Sequence, residues 1–380
     1  MTRPADFSPA HAAADVSDRS RRAVWLMAAL AMLALAASVV SLGTGAVSMP
    51  PERVLRVLWL EAAGVHDAVT AGDRLVVIGI RLPRTLLGLM VGGALAVSGA
   101  LMQGLFRNPL ADPGLAGVSS GAALAAAVVI VLGQPIAAAA AALLPAGLGD
   151  GLALPGGGTP FALLPVAAFG GGLLVTLLLY ALSTRNGQTR IATLLLAGVA
   201  IGALTGAITG FLSYISDDRQ LRDLTFWSLG SLGGATWDRV ATVAPAILPV
   251  FVAVPFLARG LNALALGEAE AFHLGIAVQR IKRVTLLLVS VAVGAAVAAS
   301  GVIGFVGLVV PHLLRLLHGA DHRTLLPASA LLGGALLVGA DSLARTLVAP
   351  AELPIGILTA ALGAPFFLWL LLARSRDLSI

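Results

Sequence analysis

The sequence predicts an all-α polytopic membrane protein of ten transmembrane helices with both termini in the cytoplasm, and three observations carry that expectation. Hydrophobic residues fill 58% of the 380 positions and charged residues 11%, against about 25% charged in an ordinary soluble domain; the mean hydropathy is +0.96. The apolar residues fall in continuous runs long enough to cross a hydrocarbon core of about 30 Å at about 1.5 Å per helical residue. Arginines and acidic residues lean to opposite sides of the membrane that those runs define. A transmembrane β-barrel would show segments of about ten residues with alternating polarity, and these runs do not alternate.

Residues 1–20 are rich in Ala, Ser, Pro and Asp and read as a disordered cytoplasmic tail before a ten-span domain over 21–376. The first run, Ala23 to Leu42, follows Arg21 and Arg22. It exceeds a signal-peptide core of about 7 to 15 residues and no clean small-residue cleavage site follows it. The string SRRAVWL touches a twin-arginine signal, but paired arginines before a first span are also what the positive-inside rule gives. Further spans are expected near 82–104, 114–132, 161–182, 191–213, 240–257, 284–300, 302–317, 325–348 and 353–372. The stretch from Gly133 to Thr159, with its short apolar piece framed by Pro135 and Pro145, reads as an outer loop or re-entrant segment.

Charge tests this layout. With the N-terminus inside, the inner segments hold 15 of the 24 Lys and Arg residues and 8 of the 19 acidic ones, which agrees with an even number of spans. The formal charge of +5 comes almost wholly from arginine, and no basic run interleaved with aromatics points to nucleic acid. The absence of cysteine excludes disulfides and thiolate metal sites.

Small residues recur at close spacing within the spans, as in Gly88, Gly92, Gly93 and Gly99, and in Gly198, Gly202, Gly206 and Gly210. Such spacing lets helix backbones approach; for the second set a smooth wall along a solute path is the other reading. No nucleotide site can be built here: a P-loop needs GxxxxGK[ST], and the one lysine, Lys282, follows Ile281. Energy for any transport therefore comes from an ion gradient or a separate ATPase. Ionisable groups inside the spans are few, namely Asp341 and Arg345, with the polar Gln103. Four residues apart on a helix, Asp341 and Arg345 can neutralise each other, which favours an ion pair over a proton relay. The inner connection from Ala258 to Arg283 carries helix formers from Ala263 to Phe272 and a turn at Gly275, the form of a short cytoplasmic helix on which an ATPase can press. His273, His312, His318 and His322 suit packing or loop roles better than ligation.

Five collinear strings then carry a resemblance: IRLPRTLLGLMVGGALAVSGALMQGLFRNPLADPGLAGVSSGAAL from Ile80, LLLAGVAIG from Leu194, LALGEAEAFHLG from Leu264, GFVGLVVPHLLRLLHGADHRTLLP from Gly304 and AELPIGILTAALGAP from Ala351. From about residue 24 to 374 the chain resembles the FecCD family of ABC importer permeases, which handle iron-siderophores, haem and cobalamin. RNPLADPG and TFWSLGSLGG (Thr225 to Gly234) look closest to the haem-importing branch.

The resemblance implies a type II importer permease of ten spans in the bacterial inner membrane. It implies a homodimer with two cytoplasmic ATPase subunits and a periplasmic binding protein, with haem or another iron chelate as cargo. No cofactor is implied on this chain, ATP and magnesium belonging to the ATPase, and the chain is not itself an enzyme. Arg81, Arg84 and Arg345 match outer-face arginines that meet acidic residues of the binding protein, with interfacial snorkelling as the bland reading of the first two. Leu266, Gly267, Glu268, Leu274 and Gly275 match the ATPase-coupling loop. Ile191 and Ala192 match a cytoplasmic gate where relatives carry hydroxyl residues, and Gly198 and Gly202 fall on the expected path. A cobalamin or ferric-siderophore permease, a proton-coupled carrier using Asp341 and a non-transporting scaffold are the rival readings.

Overall fold

A computed structural model describes residues 9–45, 48–65, 69–143 and 163–377. Helix α1 (Pro9–Gly43) begins inside the segment expected to lack regular structure. After it come α2 (Pro51–Ala62), α3 (Ala71–Arg74), a π-helical stretch (Leu75–Arg81) and α4 (Leu82–Phe106). A 3-10 turn (Pro113–Ala116) leads to α5 (Val118–Leu143) and then α6 (Leu164–Ser183). A two-stranded antiparallel hairpin, β1 (Thr184–Arg185) and β2 (Gln188–Thr189), pairs Thr184 with Thr189 and precedes α7 (Ile191–Tyr214). The chain continues through α8 (Asp218–Ser228), α9 (Trp237–Leu266), α10 (Glu268–His273), α11 (Val278–Ser300), α12 (Val306–His318), α13 (His322–Leu347) and α14 (Ile355–Asp377).

Eight of the described helices are long and apolar enough to cross a membrane, and two shorter apolar ones, Val306–His318 and Ile355–Trp369, fall where the ninth and tenth long helices would be sought. Three boundaries differ from the expectation. The start of the presumed outer loop, 133–143, instead continues α5 through Pro135, while 144–162 lies outside the described residues. Helix α9 passes Pro245, Pro249 and Pro255 and runs on to Leu266, so 258–266 belongs to a long helix rather than to a free loop. Proline interrupts a membrane helix less than a soluble one, because neighbouring helices and side-chain hydroxyls meet the freed carbonyls. The third is α12, which starts only at Val306, four residues after the expected start of its span, following an irregular Gly301–Phe305 stretch.

Helix α4 is the centre of the bundle and is enclosed by α9, α11, α12 and α13. Its glycines explain how. A β-carbon on Gly92 would collide with the carbonyl oxygen of Gly333 in α13, and one on Gly99 with that of Gly307 in α12. Absent side chains let three backbones touch, the close approach that dispersion-driven packing in lipid needs. Around them Leu87, Leu101, Met102, Ile247, Leu326 and Leu337 are buried in one cluster.

Helix α7 is the opposite case. Leu196, Val199, Leu204 and Phe211 are exposed, and no atom lies within 4 Å of a β-carbon placed on Gly202, Gly206 or Gly210. Gly198 is buried in the bundle. The glycines from 202 onward therefore pack nothing within this chain.

Candidate functional site

Where α1, α4 and α13 meet at one end of the bundle a charged cluster forms. Arg84 sits in the first turn of α4 and is the hub: its Nη2 donates to Asp341 Oδ1 at 2.9 Å and its Nε donates to the same carboxylate at 3.1 Å. Its Nη1 and Nη2 also donate to Glu352, at 2.9 Å each. Arg345 lies one turn beyond Asp341, pairs with it at 3.1 Å, and donates to Ser41 Oγ at 2.9 Å and to the Thr44 carbonyl at 3.0 Å. Arg81 donates to the Leu42 carbonyl at 2.7 Å. The hydrogen bond from Arg84 holds the Glu352 carboxyl, in the loop before α14, below its ordinary value.

This geometry corrects the picture of three solvent-facing arginines. Arg81, Arg84 and Arg345 are 5%, 8% and 8% exposed, and the hydrogen bonds of Arg84 and Arg345 run inward to side chains and carbonyls of the fold. Snorkelling does not describe them either. The pairing of Asp341 with Arg345 is found as the four-residue spacing suggested, but Arg84 and Glu352 are members that spacing could not reveal. Exposed arginines at this end include Arg53 and Arg56 on α2, Arg74 on α3 and Arg219 and Arg222 on α8.

The coupling residues lie at the opposite end. Gly267 (φ 138°) ends α9 and Gly275 (φ 79°) follows α10, so a six-residue helix is bracketed by two backbone conformations that favour glycine. A β-carbon on Gly267 would strike the Glu270 carboxylate. The helix is thus shorter than the Ala263 to Phe272 run of helix formers, because Gly267 breaks it. Leu266, Phe272 and Leu274 are 68%, 72% and 64% exposed, an apolar tip on a charged segment. Glu268, the first residue of α10, accepts from Lys282 Nζ at 2.7 Å.

The two residues expected at a gate stand directly after the hairpin: Ile191 opens α7 half-buried against the core and Ala192 is exposed. Thr189, two residues earlier, is buried. Its amide donates to Gln279 Oε1 at 3.1 Å and its carbonyl accepts from Lys282 at 3.0 Å.

The remaining polar groups have structural uses. Gln103 accepts a short hydrogen bond from Arg315 and donates to the Gly307 carbonyl. His322 binds Asn262 Oδ1 through its amide and its Nδ1, at 2.9 and 2.8 Å. His312 sets its ring edge against Phe366. Among the described residues no group of His, Cys, Asp and Glu forms a metal site.

Comparison with known proteins agrees with this architecture. The chain is 51% identical over 308 residues to the hemin transport system permease protein HmuU of Yersinia pestis, covering 79% of this chain and 84% of that protein. It is 44% identical over 316 residues to the cobalamin import system permease protein BtuC of Halobacterium salinarum, covering 83% and 78%. With the vitamin B12 import system permease protein BtuC of Klebsiella pneumoniae it shares 41% over 358 residues, covering 94% and 95%. A solved inward-facing structure of a metal-chelate type ABC transporter superposes with a TM-score of 0.72 at 31% identity, over 90% of this chain and 96% of that one. The FecCD transport family model matches residues 32–373, and the chain belongs to that family, a multi-pass membrane permease of the ABC-importer type.

Proposed function

We propose that the chain is the permease subunit of an ATP-driven importer carrying haem from periplasm to cytoplasm across the bacterial inner membrane. It acts as a homodimer of ten-span subunits with cytoplasmic termini, two ATPase subunits beneath it and a periplasmic binding protein above. The observation that carries the reading is α10 with its flanks: a short helix with exposed apolar side chains at Leu266 before it, Phe272 within it and Leu274 after it, on a chain that has no nucleotide site of its own. A helix built this way gains by docking into a partner's groove, and the partner supplies the power.

Helix α7 fits the same scheme. Its uncovered glycine face at Gly202, Gly206 and Gly210 suits either the second subunit or a path wall that offers cargo no strong grip. Ile191 and Ala192 stand at its inner end as the gate. The outer cluster of Arg81, Arg84 and Arg345 positions the docking rim and contributes its net positive charge to the approach of an acidic binding protein, while steering at contact falls to exposed groups.

Haem is favoured over cobalamin by the 51% identity with the hemin permease against 44% and 41% with the cobalamin permeases. Proton coupling through Asp341 is disfavoured because two arginines hold that carboxylate. Proteoliposomes containing this chain, its ATPase and its binding protein are expected to accumulate haemin only with ATP inside the ATPase compartment, unaffected by a protonophore. Accumulation of cyanocobalamin instead would change the cargo, and uptake by the chain alone would end the reading.

A further inference from the structure

Lys282 is the one lysine among 24 basic residues, and it is 2% exposed. It rises from the second turn of α11 between two elements that face each other across a groove of about 570 Å³, with Gln188 of the hairpin on one wall and Glu268, Phe272 and His273 of α10 on the other. Its ammonium joins them, donating to Glu268 Oε2 at 2.7 Å and to the Thr189 carbonyl at 3.0 Å. Gln279, one turn earlier, accepts from the Thr189 amide at 3.1 Å. Both backbone groups of Thr189 are therefore held by α11 side chains, two residues before the gate turn.

Burying an ammonium costs several kcal/mol before its partners repay it, and an apolar side chain of equal length would pack as well. A compact charge with three rotatable donors, unlike a planar guanidinium, can bond to a helix terminus and a strand lying in different directions. We propose that Lys282 is a positioning residue that transmits the displacement of α10 to the hairpin 184–190 and so to the gate at Ile191 and Ala192. Displacement of α10 by the ATPase pulls Glu268, Glu268 carries Lys282, and Lys282 with Gln279 carries Thr189. This inference rests on the permease reading above.

The test uses the full complex in proteoliposomes with haemin-loaded binding protein. Lys282→Met is expected to keep ATP hydrolysis near the wild-type rate while haemin taken up per ATP falls about tenfold, the scale of a site-to-site coupling, and Glu268→Gln is expected to lower uptake per ATP by the same factor. The double variant is expected to be no worse than either single one. Because the chain has no cysteine, spin labels at Arg185→Cys and Ala269→Cys, both exposed and outside the apolar tip, report the hairpin-to-α10 distance directly. That distance is expected to hold its value between nucleotide-free and ATP-bound states, and to change between them once Lys282→Met is added.

Uptake per ATP at the wild-type value in Lys282→Met, or hydrolysis and uptake falling together with the label distance unchanged, would overturn the proposal. A wild-type complex that hydrolyses ATP without importing haemin would overturn the permease reading instead, and the label distances would still decide the linkage.

Discussion

Arg84 and Asp341 stand 257 positions apart in the chain and 2.9 Å apart in the fold. Each is almost fully enclosed, with side chains 9% and 2% exposed, and Arg84 spends its other hydrogen bonds on Glu352. The pair fastens the outer end of α4 to α13 where the bundle meets solvent.

Removing one partner strands the other charge, which costs about 3 to 5 kcal/mol in a buried pair. Arg84→Met and Asp341→Asn are therefore expected to lower thermal stability in detergent strongly, and Arg84→Glu more so, since it would gather three carboxylates. The exposed pair of Arg53 with Asp73 serves as the control, where Arg53→Ala should cost no more than about 1 kcal/mol. Equal losses at the two sites would refute the fastening role of Arg84.

Acid should loosen the same corner. Arg84 holds Glu352 below its ordinary value. A carboxyl with a depressed folded pKa contributes stability above its unfolded value of about 4.3, and that contribution disappears as pH falls through the folded value. The melting temperature of the wild type is expected to drop more steeply below about pH 4.5 than that of Glu352→Gln. Parallel profiles would show that Glu352 does not take part.

Gly275 sits at φ 79° with nothing within 4 Å of a β-carbon placed on it. Valine meets no clash there, but a left-handed conformation costs it about 1 to 2 kcal/mol, so the turn is expected to relax and α10 to tilt. Gly275→Val should insert and fold normally while ATP hydrolysis no longer drives uptake. Wild-type uptake per ATP would remove the turn from the coupling path.

Gly206 tests the open face of α7. Leucine there gains roughly 0.5 to 1 kcal/mol of helix propensity and touches nothing in the chain, so monomer stability should hold or rise. Uptake or subunit association is expected to fall severalfold. Unchanged uptake and unchanged oligomeric state would mean that this face meets only lipid.

Most spans were legible because hydropathy is a property of consecutive residues. What lay outside that property was missed. The amphipathic α2 was available in PERVLRVLWLEA, where Pro51 opens the helix, Glu52 stands in its first turn and Val54 and Val57 are buried; at 12 residues it falls below the length of about 20 that marks a membrane crossing. Proline read as a boundary hid the full length of α5, since membrane neighbours make proline tolerable, while α9 runs on from the expected end at 257 to Leu266. In the candidate site, the pairing of Asp341 with Arg345 followed from helix spacing, whereas Arg84 to Asp341 and Lys282 to Thr189 join distant segments and leave no local trace. Lys282 was visible as a singular residue, but only the fold gives it two partners.

Helix α12 has 13 residues, about 20 Å of rise at about 1.5 Å each, against about 30 Å of hydrocarbon. The irregular Gly301–Phe305 stretch makes up the difference, and it is tolerable only because Gly301 and Ile303 are enclosed by protein. Taken singly, this segment would carry naked amides into lipid. Trp227 at the end of α8 and Gly230 just after it close on Gly301, and Gly363 of α14 closes on Phe305, so the stretch is expected to settle only once α14 has followed it into the bundle.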